Sequence, residues 1–369
     1  MLTLKQKIEK IILYPLKLLP VKKNRISFIC YNCTQYSCNP KYISEYIQKN
    51  LENTYELIWY YSNDDVRHLL PEYVKKVRKN SLSYFVSLMT SEIIISNVTL
   101  PRIIPWKKKQ IKINTWHGTA FKGDNNKYGN DYNQFQFFLA ENKLTKNIYR
   151  KKDSFNYQGK IIEIGMPRND ILITQNSDLK NTVYQNLGIP KEKKIIMYAP
   201  TFRENIIDNP FNIDFDVLIK ELEKKFGGEW IVLFRYHHMQ AGRTECKNSV
   251  DVTSFPDMQQ LLLIADILIT DYSSTMWDFS LMNKPVFLYA PDIEHYVKHE
   301  RGAFYWPLDR LPFAIAKKNS ELLLAIQNYD EKEYLKRVKK YHEELGRYNY
   351  KGDSTEKFVK LFLKGRKRL

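Results

Sequence analysis

From residue 25 onward, short runs of β-branched and aromatic residues alternate with stretches whose apolar positions repeat every three to four residues. In the first half, runs at 25–30, 55–61, 92–97, 111–116, 135–140 and 160–165 read as strands. In the second half, strand runs at 194–199, 230–235, 250–253, 267–270 and 285–289 are separated or followed by helical patterns at 214–226, 257–264, 274–282 and 320–329. Asn39-Pro40 reads as an N-cap and first-turn pair opening a helix to about Gln48. Such alternation predicts βαβ units and largely parallel sheets in both halves. Leu187-Gly188-Ile189-Pro190 reads as the linker, giving α/β domains at 25–190 and 191–350 and a basic C-terminal tail at 351–369.

The first 24 residues follow a different pattern. Leu4, Ile8, Ile11, Ile12, Leu18 and Leu19 recur at helical spacing, with Lys10 and Lys17 on the other side. Pro15 interrupts the helix, and Lys22, Lys23 and Arg25 close it with a basic cluster. Lysines break every apolar run and no small-residue cleavage site follows, which argues against a signal peptide. An apolar stripe with basic flanks predicts an amphipathic helix on an anionic membrane surface. The alternative is a helix docked on its own protein with a solvated basic face.

Composition narrows the partners. The chain has 369 residues, 43% hydrophobic and 27% charged, so it can bury two cores and is not a disordered tail. Its formal charge of +17 favours an anionic partner: a nucleic acid, a membrane surface or a phosphorylated substrate. Four cysteines in such a length make no disulfide framework and suit a reducing compartment. No apolar run reaches the roughly 18 residues of a membrane span.

Candidate chemistry gathers where strands end. The run at 111–116 delivers His117 and Gly118, followed by Thr119 and Lys122. That is where parallel sheets hold ligands, and histidine can take a proton near neutral pH. The structural alternative is a histidine satisfied by a loop carbonyl. Ser254-Phe255-Pro256-Asp257 fits a capping box. Asp271-Tyr272-Ser273-Ser274 ends a strand and opens a helix, whose free N–H groups and hydroxyls suit a phosphate, or whose serine is merely a cap. Arg203 and Arg235 with His237 follow two further strands, and an arginine fork suits a pyrophosphate. Cys30-Tyr31-Asn32-Cys33 has metal-like spacing without a second Cys/His pair, no D-x-D clamp is visible, and neither a Walker A nor a G-x-G-x-x-G string occurs. No cofactor or metal is therefore expected. Tyrosine and tryptophan fall within core-like runs, which argues against a nucleic-acid partner.

In this order, several strings resemble the CDP-glycerol glycerophosphotransferase family of teichoic-acid and capsule enzymes. They are Asn39-Pro40-Lys41, Thr115-Trp116-His117-Gly118-Thr119 with Lys122, and Gly165-Met166-Pro167-Arg168-Asn169-Asp170. Tyr198-Ala199-Pro200-Thr201-Phe202-Arg203, Arg235-Tyr236-His237, Phe255-Pro256-Asp257, Thr270-Asp271-Tyr272-Ser273-Ser274, Asp278 and Arg301-Gly302 complete the set. The resemblance implies a GT-B-like pair of Rossmann-like domains facing across a cleft. It implies transfer of a polyol phosphate, glycerol phosphate first, from a CDP-polyol donor to a lipid-linked or glycan acceptor at the cytoplasmic membrane face, with CMP released. By that similarity His117 is the general base, with a rate that rises through the histidine pKa range. Arg203, His237, Ser273 and Ser274 contact donor phosphate, and Gly118, Thr119, Lys122, Arg168, Asp170, Arg235, Asp257, Asp271, Asp278 and Arg301 are further cleft candidates. The sequence departs from the family pattern at Ala120, His238 and Thr253-Ser254, which bears on substrate identity. The rival readings are a nucleotide-sugar glycosyltransferase of GT-B fold and a non-catalytic protein that binds polyanions or membranes.

Overall fold

The computed structural model describes residues 3–122, 131–201, 203, 212–236, 248–301, 304–346 and 350–365. The chain divides into two units. The first holds residues up to His117, the stretch ending at Asp170, and the chain from Asp353; the second holds Gly118 to Lys122 and Ile171–Gly352.

The first unit contains seven strands: β1 (Lys22–Ile29), β2 (Glu56–Tyr61), β3 (Lys75–Arg78), β4 (Ser91–Ser96), β5 (Ile111–Asn114), β6 (Phe137–Ala140) and β7 (Lys160–Glu163). They form one parallel sheet in the order β3-β2-β1-β4-β5-β6-β7, with Phe28 paired to Trp59 on one side and Ile95 on the other. The chain runs outward from β1 to β3 and then returns to the opposite side at β4. The β1/β4 junction is therefore the switch point, where such sheets open a crevice at the strands' carboxyl ends.

The second unit repeats the logic with β8 (Lys194–Tyr198), β9 (Trp230–Phe234), β10 (Ser249–Asp251), β11 (Ile267–Thr270), β12 (Val286–Tyr289) and β13 (Ala314–Ala316). Its parallel order is β10-β9-β8-β11-β12-β13, with the switch point between β8 and β11. The central strands are buried on both faces, which is why they read as continuous apolar runs rather than as alternation.

Several boundaries differ from expectation. β3 and β13 are short edge strands: β3 has one apolar residue, Val77, and β13 is only three residues long. The helix Ser177–Leu187 ends at Gly188, whose left-handed conformation (φ 64°) caps it, and the unit boundary lies before it rather than at 190. The predicted tail is instead a helix, Ser354–Val359, continued to Lys364. Phe358, Val359, Phe362 and Leu363 pack into the first unit's core with Ile43 and Ile47. Asn39 does not cap its helix, which runs Cys38–Asn50 from an N-cap at Ser37.

The N-terminal helix Leu4–Leu13 starts with a reciprocal Thr3/Gln6 capping box and buries none of its residues. Pro15 opens a short 3-10 turn, Tyr14–Leu18. Ile11 is 71% exposed and Leu18 88% exposed, and Leu4, Ile8 and Ile12 are exposed with them, whereas Leu19 is half-buried and its carbonyl accepts from Lys107. No helix of the described residues is long and apolar enough to cross a membrane.

Candidate active site

In the first unit, His117 leaves the end of β5 and turns back toward the switch point. Its Nδ1 lies 2.7 Å from the backbone oxygen of Asn97, the residue after β4. A carbonyl can only accept, so Nδ1 carries the proton in the neutral ring and Nε2 is left with its lone pair. Burial lowers the imidazole pKa; the Asn97 hydrogen bond pulls it up, Arg168 pushes it down, and it settles at about 4. The ring packs against Trp116 (4.1 Å between centroids) and Tyr31 (5.4 Å). With a pKa of about 4 the ring is neutral at pH 7, and Nε2 has no hydrogen-bond partner among the described residues.

Asn97 also holds the turn that follows β1, its Oδ1 accepting from the Tyr31 amide at 2.9 Å. Here the backbone is strained: Tyr31, Asn32 and Cys33 have φ of 42°, 56° and 74°, Cys38 59° and Trp116 51°. Non-glycine residues rarely adopt this left-handed region, and such strain gathers at functional sites. Nothing in residue type at these positions announced it.

The framework is held by Asn39, which is fully buried. Its amide nitrogen donates to the carbonyls of Thr115 and Trp116, each at 2.9 Å, while its Oδ1 accepts from the Arg168 amide at 3.0 Å. One side chain thus fixes both the peptide carrying His117 and the loop carrying Arg168, a role more telling than the cap it was expected to be. Arg168 is 1% exposed and reaches Cys38 Sγ at 3.9 Å. Asp170, expected in the cleft, instead accepts from the Ser354 and Thr355 amides (3.1 and 2.8 Å) and the Thr355 hydroxyl (2.7 Å), anchoring the C-terminal helix. Burial raises its pKa, although those bonds oppose the rise.

In the second unit, the ends of β8 and β11 meet at the other switch point. Asp271 accepts from the Thr201 amide at 2.9 and 3.0 Å through its two oxygens. Arg203 does not hold out its fork for a ligand. It is 3% exposed, with Nη2 2.8 Å from Asp271, Nε 2.7 Å from Asp292 and Nη1 2.6 Å from the Thr201 carbonyl. Tyr272 and Tyr296 cover it at 4.8 and 4.7 Å. Burial disfavours the charge, but the carboxylates outweigh it and raise the guanidinium pKa. Burial would likewise raise the Asp292 carboxyl, yet the bond and charge of Arg203 hold it below its usual range. Asp292 carried no sequence signal. Arg203 is a buried keystone in this structure, its guanidinium bonded to Asp271, Asp292 and the Thr201 carbonyl.

Arg235 is similarly spent, donating to the carbonyls of Val252 (3.3 Å) and Phe255 (2.6 Å). Asp257, not Ser254, caps the helix Met258–Ile264 by accepting from the Gln259 amide at 3.1 Å. Asp278 is buried and accepts from Gln259 Nε2 at 3.1 Å.

Ser273 and Ser274 precede the short helix Thr275–Phe279; Ser274 is its N-cap residue but its side chain makes no capping bond. Thr201 Oγ1 is buried at the same switch point with no hydrogen-bond partner among the described residues. Gly118 lies against this group: a Cβ there would stand 2.5 Å from Ser274 Oγ and 3.2 Å from Ser274 Cβ. Thr119 is buried, and the following residues dock by a Tyr305 amide to Phe121 carbonyl bond of 2.7 Å and an antiparallel bridge between Lys122 and Phe304. Gly118 of the His-Gly string and Ser274 of the Tyr-Ser-Ser string, 156 residues apart by number, thus lie against each other. His237 and the Arg301 side chain lie outside the described residues.

Residues 12–364 match the family model described as CDP-glycerol:poly(glycerophosphate) glycerophosphotransferase. The chain is 31% identical to a teichoic acid poly(glycerol phosphate) polymerase of Bacillus spizizenii, covering 94% of this chain and 93% of that one. It is 31% identical to a polymerase of the same description from Staphylococcus epidermidis, but spans only 47% of that relative's length. A teichoic acid glycerol-phosphate transferase of Staphylococcus aureus is 29% identical, with 89% and 90% covered. Among solved structures, that of the wall teichoic acid polymerase TagF superposes with a TM-score of 0.83 at 29% identity, covering 98% of this chain and 94% of that one.

Proposed function

The chain belongs to the CDP-glycerol:poly(glycerophosphate) glycerophosphotransferase family, and on that premise we propose that it moves a polyol phosphate from a CDP-activated donor to a hydroxyl acceptor. Glycerol phosphate is the first choice, because relatives of matching length are named for it. The acceptor is a lipid-linked or glycan hydroxyl in cell-surface polymer synthesis, and CMP is the leaving product.

The observation that carries this reading is the tautomer of His117. A polyol hydroxyl is a poor nucleophile until a base takes its proton during attack. With Nδ1–H committed to Asn97, Nε2 is the acceptor for that proton. The acceptor oxygen bonds to the phosphorus bearing the polyol, and the anhydride bond to the CMP phosphate breaks, its electron pair leaving on CMP. An imidazole of pKa about 4 is a weak base at rest. The charge of an approaching pyrophosphate raises that pKa as it arrives, so base strength and substrate binding are coupled. Ser273, Ser274 and the unpartnered Thr201 hydroxyl are the donor-phosphate contacts in this reading.

Attachment to the anionic cytoplasmic face of a membrane belongs to the same proposal. It rests on the exposed stripe of Leu4, Ile8, Ile11, Ile12 and Leu18 and on the lysines beside it.

The test is a panel of CDP-glycerol, CDP-ribitol and nucleotide sugars with a lipid-linked acceptor, following nucleotide release. CMP from CDP-glycerol is expected. Turnover of a nucleotide sugar alone, or of nothing, would overturn the reading.

A further inference from the structure

A cleft of about 640 Å³ opens in the first unit between the N-terminal segment and the chain that joins β4 to β5. Lys10, Tyr14 and Lys17 line it from one side, and Arg102, Trp106 and Lys112 from the other. Lys112 is the unusual member. It sits on β5, where Ile111 and Ile113 belong to the core, so alternation sends Lys112 to the opposite face. It is only 9% exposed, and its ammonium has no hydrogen-bond or ion-pair partner among the described residues. Burial lowers its pKa. The acid at the rim, Asp131, is turned to the amide of Asn133 at 3.0 Å.

Lys112 has a mostly buried stem and opens its ammonium into a roomy cleft lined by three other cations, an arrangement that an anion would complement. We propose that this cleft is a phosphate subsite that seats the headgroup of an anionic phospholipid, with Lys112 at its floor. The segment that contributes Lys10 and Lys17 also exposes Ile11 and Leu18, so acyl chains and headgroup have adjoining surfaces. The volume exceeds what one phosphate needs and admits a polyol headgroup beside Trp106 and Tyr14. The choice of a lipid over a soluble phosphate rests on the membrane reading above; the cleft itself does not.

Vesicle co-sedimentation of the full chain tests it, using phosphatidylcholine with and without phosphatidylglycerol. Lys112→Met fits the buried site and removes the charge; Lys112→Arg keeps it. The wild type should gain affinity when phosphatidylglycerol is added. Lys112→Met should lose about tenfold of that gain, the worth of one hydrogen bond to a charged group, and Lys112→Arg should recover most of it. Lys17→Gln, on the exposed rim, should fall in the same direction and more than Lys5→Gln, which lies outside the cleft. Binding to pure phosphatidylcholine reports the apolar stripe and should be the same for the wild type and all four variants. A second arm measures thermal stabilisation by soluble glycerol phosphate. If the wild type is stabilised, Lys112→Met is not, and anionic vesicle binding is unchanged, the lipid assignment is overturned in favour of a soluble ester. If Lys112→Met matches the wild type in both arms, the subsite itself is overturned. CMP release plays no part in either arm, so failure here is distinct from failure of the transferase reading.

Discussion

The backbone oxygen of Asn97, 2.7 Å from Nδ1 of His117, decides which nitrogen of that ring can act as a base. The bond joins the ends of β4 and β5 beside the switch point of the first sheet. A histidine satisfied by a loop carbonyl and a histidine equipped for proton transfer are therefore one arrangement. The carbonyl bond that would make it structural is the one that frees Nε2.

His117→Ala and His117→Gln should each lower kcat by about 100-fold or more, with the donor KM little changed. Glutamine can hydrogen-bond but cannot take the proton. Steady-state kinetics on CDP-glycerol check this, and parallel loss of donor affinity would reassign His117 to phosphate binding.

The pH profile should differ from that of an ordinary histidine. Protonation of Nε2 switches the base off, so kcat/KM should be flat through neutrality and fall as pH drops toward about 4. An unperturbed ring would place the break near pH 6.5. Stability follows the same sign: between about 6.5 and 4 the unfolded chain takes the proton and the folded chain resists it. Urea denaturation should show stability declining across that window, less so in His117→Gln.

Asp292→Asn should destabilise the second unit by about 3–5 kcal/mol, the usual cost of removing one partner from a buried pair. It removes one of the two carboxylates bonded to Arg203 among the described residues and leaves Asp271. Arg203→Ala should unfold at lower denaturant as well, rather than simply weaken donor binding. Native stability in both variants would remove the keystone role.

Asn39→Ala strips partners from two carbonyls and one amide beside His117 and should cost about 1–3 kcal/mol. Turnover should fall further than stability explains at temperatures where the variant is fully folded, because the His117 peptide is no longer held.

Gly118→Ala should lower activity by driving the new methyl onto the Ser274 hydroxyl. The hydroxyl can rotate, but the Cβ at 3.2 Å must give as well. Adding Ser274→Ala should relieve part of the crowding, so the packing defect of the double variant, read by thermal melting, should be smaller than that of Gly118→Ala.

The local grammar of this chain was legible before its fold. Apolar runs at Ile93–Ile95 and Ile267–Ile269 marked central strands, because a strand buried on both faces is filled mainly by apolar side chains. The placement of His117, Ser273 and Ser274 just past the ends of parallel strands was visible, because each follows an apolar run. The exposed stripe of the N-terminal helix was written in its spacing. What the order of residues could not carry was partnership at long range. Whether Arg203 is a ligand contact or a keystone depends on Asp292, 89 residues away. Asn39 is a clamp rather than a cap because Arg168 lies 129 residues on, and Asp170 is an anchor because of Thr355, 185 residues on. Periodicity reports which face of an element avoids water. Only the packed structure determines which donor meets which acceptor, because burial makes those pairings obligatory and the chain brings the partners together from any distance.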